Sequence, residues 1–395
     1  MRTKITIAVF LIMLAAFAVV IALPTDTQSV LSENREPAKM PESSLSNIIF
    51  GDFCVDFETY LSDNVGLRGM LIDISDSISS LKGIKSYGSI TDANADLGTG
   101  DADSSKGLLT TDDTIMEIFK AKPEARENYI SMINHYADRL PENVRLYSMV
   151  IPTQIEFTGK KYEGLADSQL ETINHIYAGA DERVTTVNAY SMLEAHTDEY
   201  IYFRTDHHWT TLGAYYAYKQ FGAVADVVVA DINDFEEKKA EGFLGYLYNQ
   251  AKATQLKNKP DTIYYYTKGE NLPFKAKAWE DGGIVEYSGK LFKEPGLGQE
   301  TKYSIFLGGD HPLLEMSTEV NNGRTILVVK DSYANAFIPW LAHSFEKVVA
   351  VDPRSFKGDI SDVISEYNVT DVLLMNYSFT TTFDDIIQAE KGIYK

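Results

Sequence analysis

The chain has 395 residues, of which 44% are hydrophobic and 24% charged, as is typical of a globular protein with a large core. Its formal net charge is −21 at pH 7. Nucleic-acid binding requires clustered lysine and arginine side chains that neutralise phosphates, and the sequence contains no such basic cluster. The charge balance therefore argues against a nucleic-acid partner.

The N-terminal segment predicts an export signal or a membrane anchor. Arg2 and Lys4 precede 19 uncharged and mostly apolar residues, from Ile5 to Leu23. A helix of that length can just cross a hydrocarbon core of roughly 30 Å, whereas a cleaved signal has a shorter apolar region and a small-x-small exit. We expect an uncleaved signal-anchor at residues 1–23, with a cleaved signal as the alternative. This predicts a protein anchored in the cell membrane, N-terminus inside and body on the extracytoplasmic face.

Composition divides the rest of the chain. Residues 24–48 are polar, contain three prolines and predict a linker. Residues 49–395 predict one α/β domain, in which 91–107 is an Asp-, Gly-, Ala- and Ser-rich surface loop. Residues 227–315 contain short strand patterns with glycine-containing turns, which indicates a β-rich insertion or a set of long loops.

Helical and strand patterns alternate along the body of the chain. Apolar spacing predicts a first helix over residues 111–140, with Asp112 or Thr111 as its N-cap. Strands are then predicted at 144–152, 183–193, 324–332, 347–353 and 369–377, and helices at 167–180, 210–225, 333–345 and 359–368. This alternation indicates βαβ units, and hence a parallel sheet with helices on both faces.

The segment RTILVVKDSYANAF contains a candidate nucleophile. A β-branched strand from Thr325 to Val329 ends at Lys330-Asp331, and Ser332 lies where the chain turns into a helix. Open α/β sheets bind ligands at the carboxyl ends of their strands, and the N–H groups at a helix start suit a developing oxyanion. The alternative is that Ser332 is only a helix N-cap. The glycines of the α/β-hydrolase G-x-S-x-G motif are absent.

The segment YFRTDHHWT, residues 202–210, supplies the groups that such a serine requires. Asp206 and His208 are two residues apart, so in an extended or turning segment both side chains can lie on one side. The carboxylate can then fix the imidazole tautomer while the other ring nitrogen faces Ser332. His207 would point the opposite way. Trp209 is expected to pack under the loop, with stacking on a sugar as the alternative.

A metal site is the competing interpretation of the paired histidines. Aspartate and histidine are both common ligands, but a site normally needs three or four of them, and adjacent side chains diverge. His311 is the one obvious supplement in the sequence. We therefore predict neither a metal nor a cofactor.

The same motif carries a family resemblance. TDHHW is the signature of the DHHW family of bacterial cell-surface proteins, and this chain resembles that family over roughly residues 50–390. Further matching motifs are FETYLSDNVGLRG, GFLGYLY, FLGGDHP, KDSYANAF, VDPRSF and VLLMNY. The family is similar to the SGNH/GDSL hydrolases, in particular to the alginate O-acetyltransferases. The resemblance implies an SGNH-hydrolase-like, flavodoxin-like parallel sheet with flanking helices.

The resemblance also implies roles for individual residues. Ser332 matches the nucleophile, His208 the base and Asp206 the acid that orients the base. Lys330 stands where these enzymes usually have a glycine, which could alter the turn.

An oxyanion hole is implied as well. It would use the Ser332 backbone N–H, and further candidates are Asn376 and a backbone N–H around Gly308-Gly309.

The implied function is transfer or removal of an acyl group, chiefly acetyl, on a cell-surface polysaccharide. An integral-membrane acyltransferase is a candidate supplier of the acyl donor. The alternative is a non-catalytic carbohydrate-binding or assembly protein that retains the fold. The two hypotheses differ in geometry, because only an enzyme needs Ser332 and His208 within hydrogen-bond distance.

Overall fold

The computed structural model describes residues 107–162, 164–251, 253–280, 283–293 and 302–395, with short pieces at 39–41, 53, 57, 60–61, 64–67 and 89–92. The strands of this part are β1 (Ser89–Asp92), β2 (Gly107–Thr110), β3 (Ile115–Glu117), β4 (Arg145–Ile151), β5 (Val184–Thr186), β6 (Glu236–Phe243), β7 (Asp261–Thr267), β8 (Pro273–Glu280), β9 (Gly283–Lys290), β10 (Leu313–Ser317), β11 (Thr325–Lys330), β12 (Lys347–Val351) and β13 (Asp371–Tyr377). The α-helices are α1 (Pro123–Arg139), α2 (Gln169–Gly179), α3 (Ala189–Glu194), α4 (Thr211–Ala225), α5 (Tyr246–Ala251), α6 (Ile338–Leu341), α7 (Ile360–Tyr367) and α8 (Asp384–Gly392).

The central sheet has the strand order β5-β4-β13-β11-β12-β10-β8-β9. The first five of these strands run parallel to one another, and the last three are antiparallel to their neighbours. The predicted α/β fold with a mainly parallel sheet is confirmed. β11 lies between β13 and β12, so its carboxyl end opens at the middle of the parallel part.

Both faces of the sheet are covered, which explains the unbroken apolar runs of its strands. On β4, Tyr147 and Met149 pack into a core that contains α4 side chains, whereas Leu146 and Val150 pack into a second core formed with α1, α2, α7 and α8. β11 is buried along its whole length. Alternation along each strand thus assigns side chains to one core or the other.

The helix predicted from residue 111 begins later. The hydroxyl of Thr111 accepts the backbone N–H of Thr114 at 3.0 Å and closes a turn, after which β3 forms a hairpin with β2. Helix α1 starts at Pro123, whose fixed φ and missing N–H suit the first helical position. The prediction of Asp112 or Thr111 as N-cap was therefore wrong.

Two other predicted elements are shorter than expected. The strand predicted over 183–193 ends at Thr186, and Asn188 then caps helix α3 by accepting the Ser191 N–H at 3.2 Å. The helix predicted over 333–345 consists of a 3₁₀ segment, Ser332–Ala336, followed by the short α6.

The β-rich region at 227–315 is divided between two sheets. β6 and β7 form a separate antiparallel pair, and β8, β9 and β10 extend the central sheet at one edge. The alternation of short strands and glycine turns predicted strands here but could not predict which sheet they would join. The boundaries proposed for the domain and its insertion stay a prediction.

The predicted location as a single-pass protein of the cell membrane is contradicted. Across the described residues, no helix combines the length and the apolar character that a bilayer crossing requires. The anchor predicted at residues 1–23 lies outside the described residues, as do nearly all of the linker at 24–48 and of the loop at 91–107.

Candidate active site

Ser332 stands at the carboxyl end of β11, where the chain leaves the sheet. Asp331 caps the 3₁₀ segment that follows, because its Oδ1 accepts the Tyr333 N–H at 2.9 Å. Its Oδ2 accepts the Tyr377 N–H at 2.8 Å and the Thr380 hydroxyl at 3.0 Å. The N-cap is thus Asp331 rather than Ser332, and the half-buried serine is left at the first position of the segment.

The TDHHW motif forms a closed loop. An antiparallel bridge between Tyr202 and Trp209 joins the ends of the segment 202–209 that contains the motif, and the hydroxyl of Thr210 then caps α4. At the middle of the loop, the backbone N–H and the hydroxyl of Thr205 donate to the buried carboxylate of Asp261, at 2.8 and 2.5 Å. Asp261, the first residue of β7, therefore fixes the position of Thr205. This in turn restrains the side chains that follow Thr205 in the loop.

The structure brings Asp206, His208 and Ser332 into one hydrogen-bonded row. His208 Nδ1 lies 2.6 Å from Asp206 Oδ1, and His208 Nε2 lies 2.8 Å from Ser332 Oγ. Since a carboxylate only accepts, Nδ1 carries a hydrogen, and in the neutral form of the ring Nε2 is left as an acceptor for the serine hydroxyl. Asp206 and His208 are 5% and 6% exposed. This is the arrangement of a nucleophile, a base and an orienting carboxylate.

Asp206 is held as an anion. Its Oδ1 also accepts the His208 backbone N–H at 3.0 Å, and its Oδ2 accepts the Tyr246 N–H at 2.8 Å, at the start of α5. Burial favours the neutral acid, but the charges of His208 and His207 and the hydrogen bonds from His208 outweigh it. They keep the pKa of Asp206 well below its usual range.

Gly245, in the GFLGYLY motif, lets the chain pass close to this carboxylate. A Cβ added at Gly245 would lie 2.3 Å from the Cβ of Asp206 and 2.5 Å from its Oδ2. The added Cβ atom would collide with the side chain of Asp206, so a larger residue at position 245 would displace Asp206. The glycine thereby preserves the hydrogen bond from Tyr246.

Tyr303 belongs to the site and was not predicted from the sequence. Its ring stacks on His208, with centroids 3.9 Å apart and planes 14° from parallel. Its hydroxyl donates to the backbone carbonyl of Ser332 at 3.1 Å. The sequence near Tyr303 contains no motif that would have singled it out among 24 tyrosines.

His207 is placed differently from His208. Its side chain is 19% exposed, and its Nδ1 lies 3.8 Å from Asp206 Oδ1, beyond hydrogen-bond distance. Its backbone carbonyl accepts the Tyr333 hydroxyl. Its ring centroid lies 3.9 Å from that of His208. His207 thus packs against the ring of His208, so the prediction that it would point the opposite way was wrong.

Asp206, His207 and His208 also form the one potential metal cluster of the described residues, with donor atoms within 4.8 Å of one another. Both nitrogens of His208 already have partners in Asp206 and Ser332. His311, the predicted supplement, lies 2.8 Å from both the Tyr287 hydroxyl and the Leu307 carbonyl, so its nitrogens also have partners. The donor set fits a triad better than a cation.

Two of the weaker predicted site residues serve other roles. Asn376 accepts the Tyr129 hydroxyl at 2.8 Å and donates to Glu390 at 3.2 Å, in the core formed with α1 and α8. Trp209 is fully buried, and its indole N–H donates to the Tyr333 carbonyl at 2.9 Å. Asn376 therefore lies in the wrong core for an oxyanion hole, and Trp209 cannot stack on a sugar.

The glycine pair lies in a loop with left-handed backbone. φ is +82° at Gly308 and +119° at Gly309, a region that glycine occupies without strain. The Gly309 N–H donates to the Phe306 carbonyl at 3.1 Å and is therefore not available to an oxyanion. Gly308 stays a candidate donor.

A cleft opens beside the base. It is lined by Ile115, Met116, Glu117, Thr153, Gln154, Ile155, Tyr202, Asp206, His207, His208 and Leu247. The lining combines hydroxyl, amide, carboxylate and imidazole groups with aliphatic walls. The volume of this cavity is about 10 Å³, which is room for about one water molecule.

The family match follows the same segments. The family model described as DHHW protein matches residues 86–351. The chain belongs to the DHHW protein family. The predicted family membership is confirmed, and the matched range contains the histidine loop and the serine turn.

Solved structures are similar to this chain, and the first two given below share its fold. A DHHW family protein from Eubacterium siraeum DSM 15702 is 30% identical, with a TM-score of 0.65 over 73% of this chain and 95% of that one. PatB1 from Bacillus cereus, solved with a sulfonyl adduct, is 21% identical, with a TM-score of 0.59 over 72% and 98%. The O-acetyltransferase domain of AlgJ from Pseudomonas putida is 16% identical, with a TM-score of 0.42 over 71% and 96%. A comparison with curated proteins gave no match.

Proposed function

We propose that this DHHW protein is an acyl-transfer enzyme that moves or removes an acetyl group on a polysaccharide, with Ser332, His208 and Asp206 as its catalytic residues. One observation carries the proposal: His208 is hydrogen-bonded to Ser332 through Nε2 and to Asp206 through Nδ1. A purely structural role does not require a buried histidine that is hydrogen-bonded to a serine through one ring nitrogen and to a carboxylate through the other. A serine nucleophile with its base and orienting carboxylate does require this arrangement.

The first half of the reaction would acylate the serine. Ser332 Oγ attacks the carbonyl carbon of an acyl ester while its proton passes to His208 Nε2. The tetrahedral intermediate collapses, the bond to the donor alcohol breaks, and that alcohol takes the proton from His208. Asp206 stabilises the imidazolium that forms in between, and the Ser332 backbone N–H is the first candidate donor to the oxyanion.

The second half would return the acyl group. An acceptor hydroxyl gives its proton to His208 and attacks the acyl carbon, after which Ser332 leaves and recovers the proton. A sugar acceptor gives transfer and water gives hydrolysis. The source of the donor, predicted to be an integral-membrane acyltransferase, stays a prediction.

Further support comes from the chemistry of the PatB1 structure. It contains a sulfonyl adduct, and sulfonyl groups attach to activated nucleophiles such as a serine with a neighbouring base. A shared fold makes the same reactivity a reasonable expectation for Ser332.

The alternative is a non-catalytic carbohydrate-binding or assembly protein. It would be favoured if Ser332 and His208 were too far apart to react. Their separation of 2.8 Å removes that argument. Nothing else in the described residues favours binding without catalysis over an enzyme.

Hydrolysis of a small activated acetyl ester tests the proposal, because a preorganised triad acts on such esters without its natural acceptor. The full chain is expected to hydrolyse it slowly, and Ser332→Ala to lose this activity while its melting temperature changes by no more than a few degrees. Equal turnover in both proteins would eliminate Ser332 as the nucleophile.

A further inference from the structure

Three of the sequence motifs contribute residues to one cluster of charged and polar side chains. The proposed mechanism does not use these side chains. Asp310 comes from FLGGDHP, Lys330 and Asn335 come from KDSYANAF, and Asp352 and Arg354 come from VDPRSF. The segments are far apart in the chain, but they meet where β11 and β12 end and before β10 begins. We name these five residues the ion cluster.

Lys330 is the centre of the ion cluster. Its ammonium donates to Asp310 Oδ1 at 2.6 Å and to Asn335 Oδ1 at 2.7 Å, and the Asn335 amide donates to the same Asp310 oxygen at 2.8 Å. The lysine side chain is 2% exposed. A buried charge of this kind costs several kcal/mol unless it is paired and hydrogen-bonded, so these partners determine where Lys330 can lie.

The outer pair of the ion cluster balances its charge. Arg354 donates to Asp310 Oδ2 at 2.8 Å and to both oxygens of Asp352, at 2.8 and 2.5 Å. Two cations thus face two carboxylates. Burial would favour neutral Asp310, but the charges of Lys330 and Arg354 outweigh it and hold its pKa well below the usual range. Asp310 is therefore held as an anion.

The cluster brackets the candidate nucleophile. Lys330 lies two residues before Ser332 and Asn335 lies three residues after it, so the bond between them spans the serine turn. Asp310 follows Gly308 and Gly309 directly, so its bonds to Lys330 and Asn335 also attach the glycine loop to that turn. The exit from the strand and the 3₁₀ segment cannot move separately without breaking these bonds.

We propose that Lys330 is a positioning residue that fixes the Ser332 turn and the Gly308–Gly309 loop relative to each other. Its ammonium joins the two segments through hydrogen bonds to Asp310 and Asn335, at 2.6 and 2.7 Å. It does not touch the reacting atoms. The inference rests on the proposed function, because it assigns Lys330 to the reactivity of that serine.

The rate at which Ser332 is sulfonylated tests this role without a natural substrate. With phenylmethanesulfonyl fluoride, Ser332 Oγ bonds to sulfur, fluoride leaves, and the hydroxyl proton passes to His208. Lys330→Met retains the length of the side chain but removes the charge. We expect it to slow sulfonylation at least about tenfold, since a displacement of about 1 Å can cost about a hundredfold in rate.

The kinetics on a small acetyl ester provide a second measurement. Lys330→Met should lower kcat for that ester by a similar factor and change KM less than about twofold, because the clamp acts on the turn and not on ester binding. Lys277→Met is the matched control. It breaks an ion pair with Glu366 at the surface, 3.1 Å in length, and should leave both constants unchanged.

A second variant covers the case in which Lys330→Met does not fold. Asp310→Asn removes one negative charge but keeps an oxygen that can accept from Lys330. It is expected to lower the sulfonylation rate and kcat by a smaller factor than Lys330→Met. Folded variants that react as fast as the wild type would refute the role of Lys330. A wild-type protein that is not labelled at Ser332 would instead refute the proposed function, and the inference with it.

Discussion

Tyr303 lies flat on His208, with the two rings 3.9 Å apart between centroids and 14° from parallel. The hydroxyl of the same tyrosine donates to the Ser332 carbonyl at 3.1 Å. One side chain therefore restrains both His208, the proposed base, and the backbone of Ser332, the proposed nucleophile. Stacking limits how the imidazole can tilt, and the hydrogen bond limits how the serine turn can shift.

Two substitutions separate these effects of Tyr303. Tyr303→Phe keeps the stacked ring and loses one hydrogen bond, worth about 1 kcal/mol, so ester hydrolysis should fall by roughly fivefold. Tyr303→Leu also removes the stacking and should cost at least about tenfold more. Steady-state rates on the activated acetyl ester measure both. Tyr216→Phe is the control, because it removes a hydroxyl that donates to Glu199 at the surface. Equal rates for the two Tyr303 variants would show that the stacking does not matter.

The two adjacent histidines should differ sharply in function. His208→Ala removes the base and is expected to lower the rate by several orders of magnitude, as loss of a triad base generally does. His207→Ala should lower it at most roughly tenfold, because His207 packs beside the ring of His208 and is not a member of the hydrogen-bonded row of Asp206, His208 and Ser332. Both are measured by ester hydrolysis, with melting temperatures to confirm folding.

The same pair of variants tests the metal alternative. If Asp206, His207 and His208 held a catalytic cation, both alanine variants would lose activity to the same severe extent and would also lose bound metal. Metal content by elemental analysis, together with the effect of a chelator, distinguishes the cases. We expect the chelator to have no effect on hydrolysis.

Glu390 gives the protein a pH-dependent stability. It is fully buried beside Asn376, and burial, together with the nearby charges of Asp331 and Asp352, raises its pKa to about 8. An acid whose pKa is higher in the folded state stays protonated there while the unfolded chain has lost the proton. Its contribution to stability therefore falls as pH rises from the ordinary glutamate range to about 8, by about 1.4 kcal/mol per pH unit.

Glu390→Gln should remove this dependence. The amide can still accept from Asn376 but carries no proton that titrates, so the variant should gain stability over the wild type as pH rises towards 8. Unfolding by urea at several pH values measures the difference. Glu142→Gln, at an exposed position, should follow the wild-type curve. A Glu390→Gln curve parallel to the wild type would contradict the assignment.

Much of the fold could be predicted because its strands are buried on both faces. The runs predicted as strands at 324–332 and 369–377 contain the uninterrupted apolar stretches ILVV (326–329) and VLLM (372–375), and β11 and β13 form there. The helix over 111–140 was predicted too long, because apolar spacing does not distinguish the short β3 from a helical turn. Pro123 was the better signal for its start.

The residues of the candidate site also divide into those that the sequence predicts and those that it does not. Asp206, His208 and Ser332 follow from chemistry and spacing, and their proximity agrees with what the motifs imply. Asn376 was misjudged because one step along a strand moves a side chain to the other face of the sheet. Tyr303 and the ion cluster depend on contacts between segments distant in sequence, which no local pattern reveals.

Labelling by a serine-directed phosphonate tests the central claim most directly. The full chain is treated with the probe and the modified peptide is identified by mass spectrometry, beside Ser332→Ala and His208→Ala. The account predicts a single adduct on Ser332 in the wild type, none in Ser332→Ala, and labelling slowed by orders of magnitude in His208→Ala. An adduct on another residue, or equal labelling of folded His208→Ala, would contradict it.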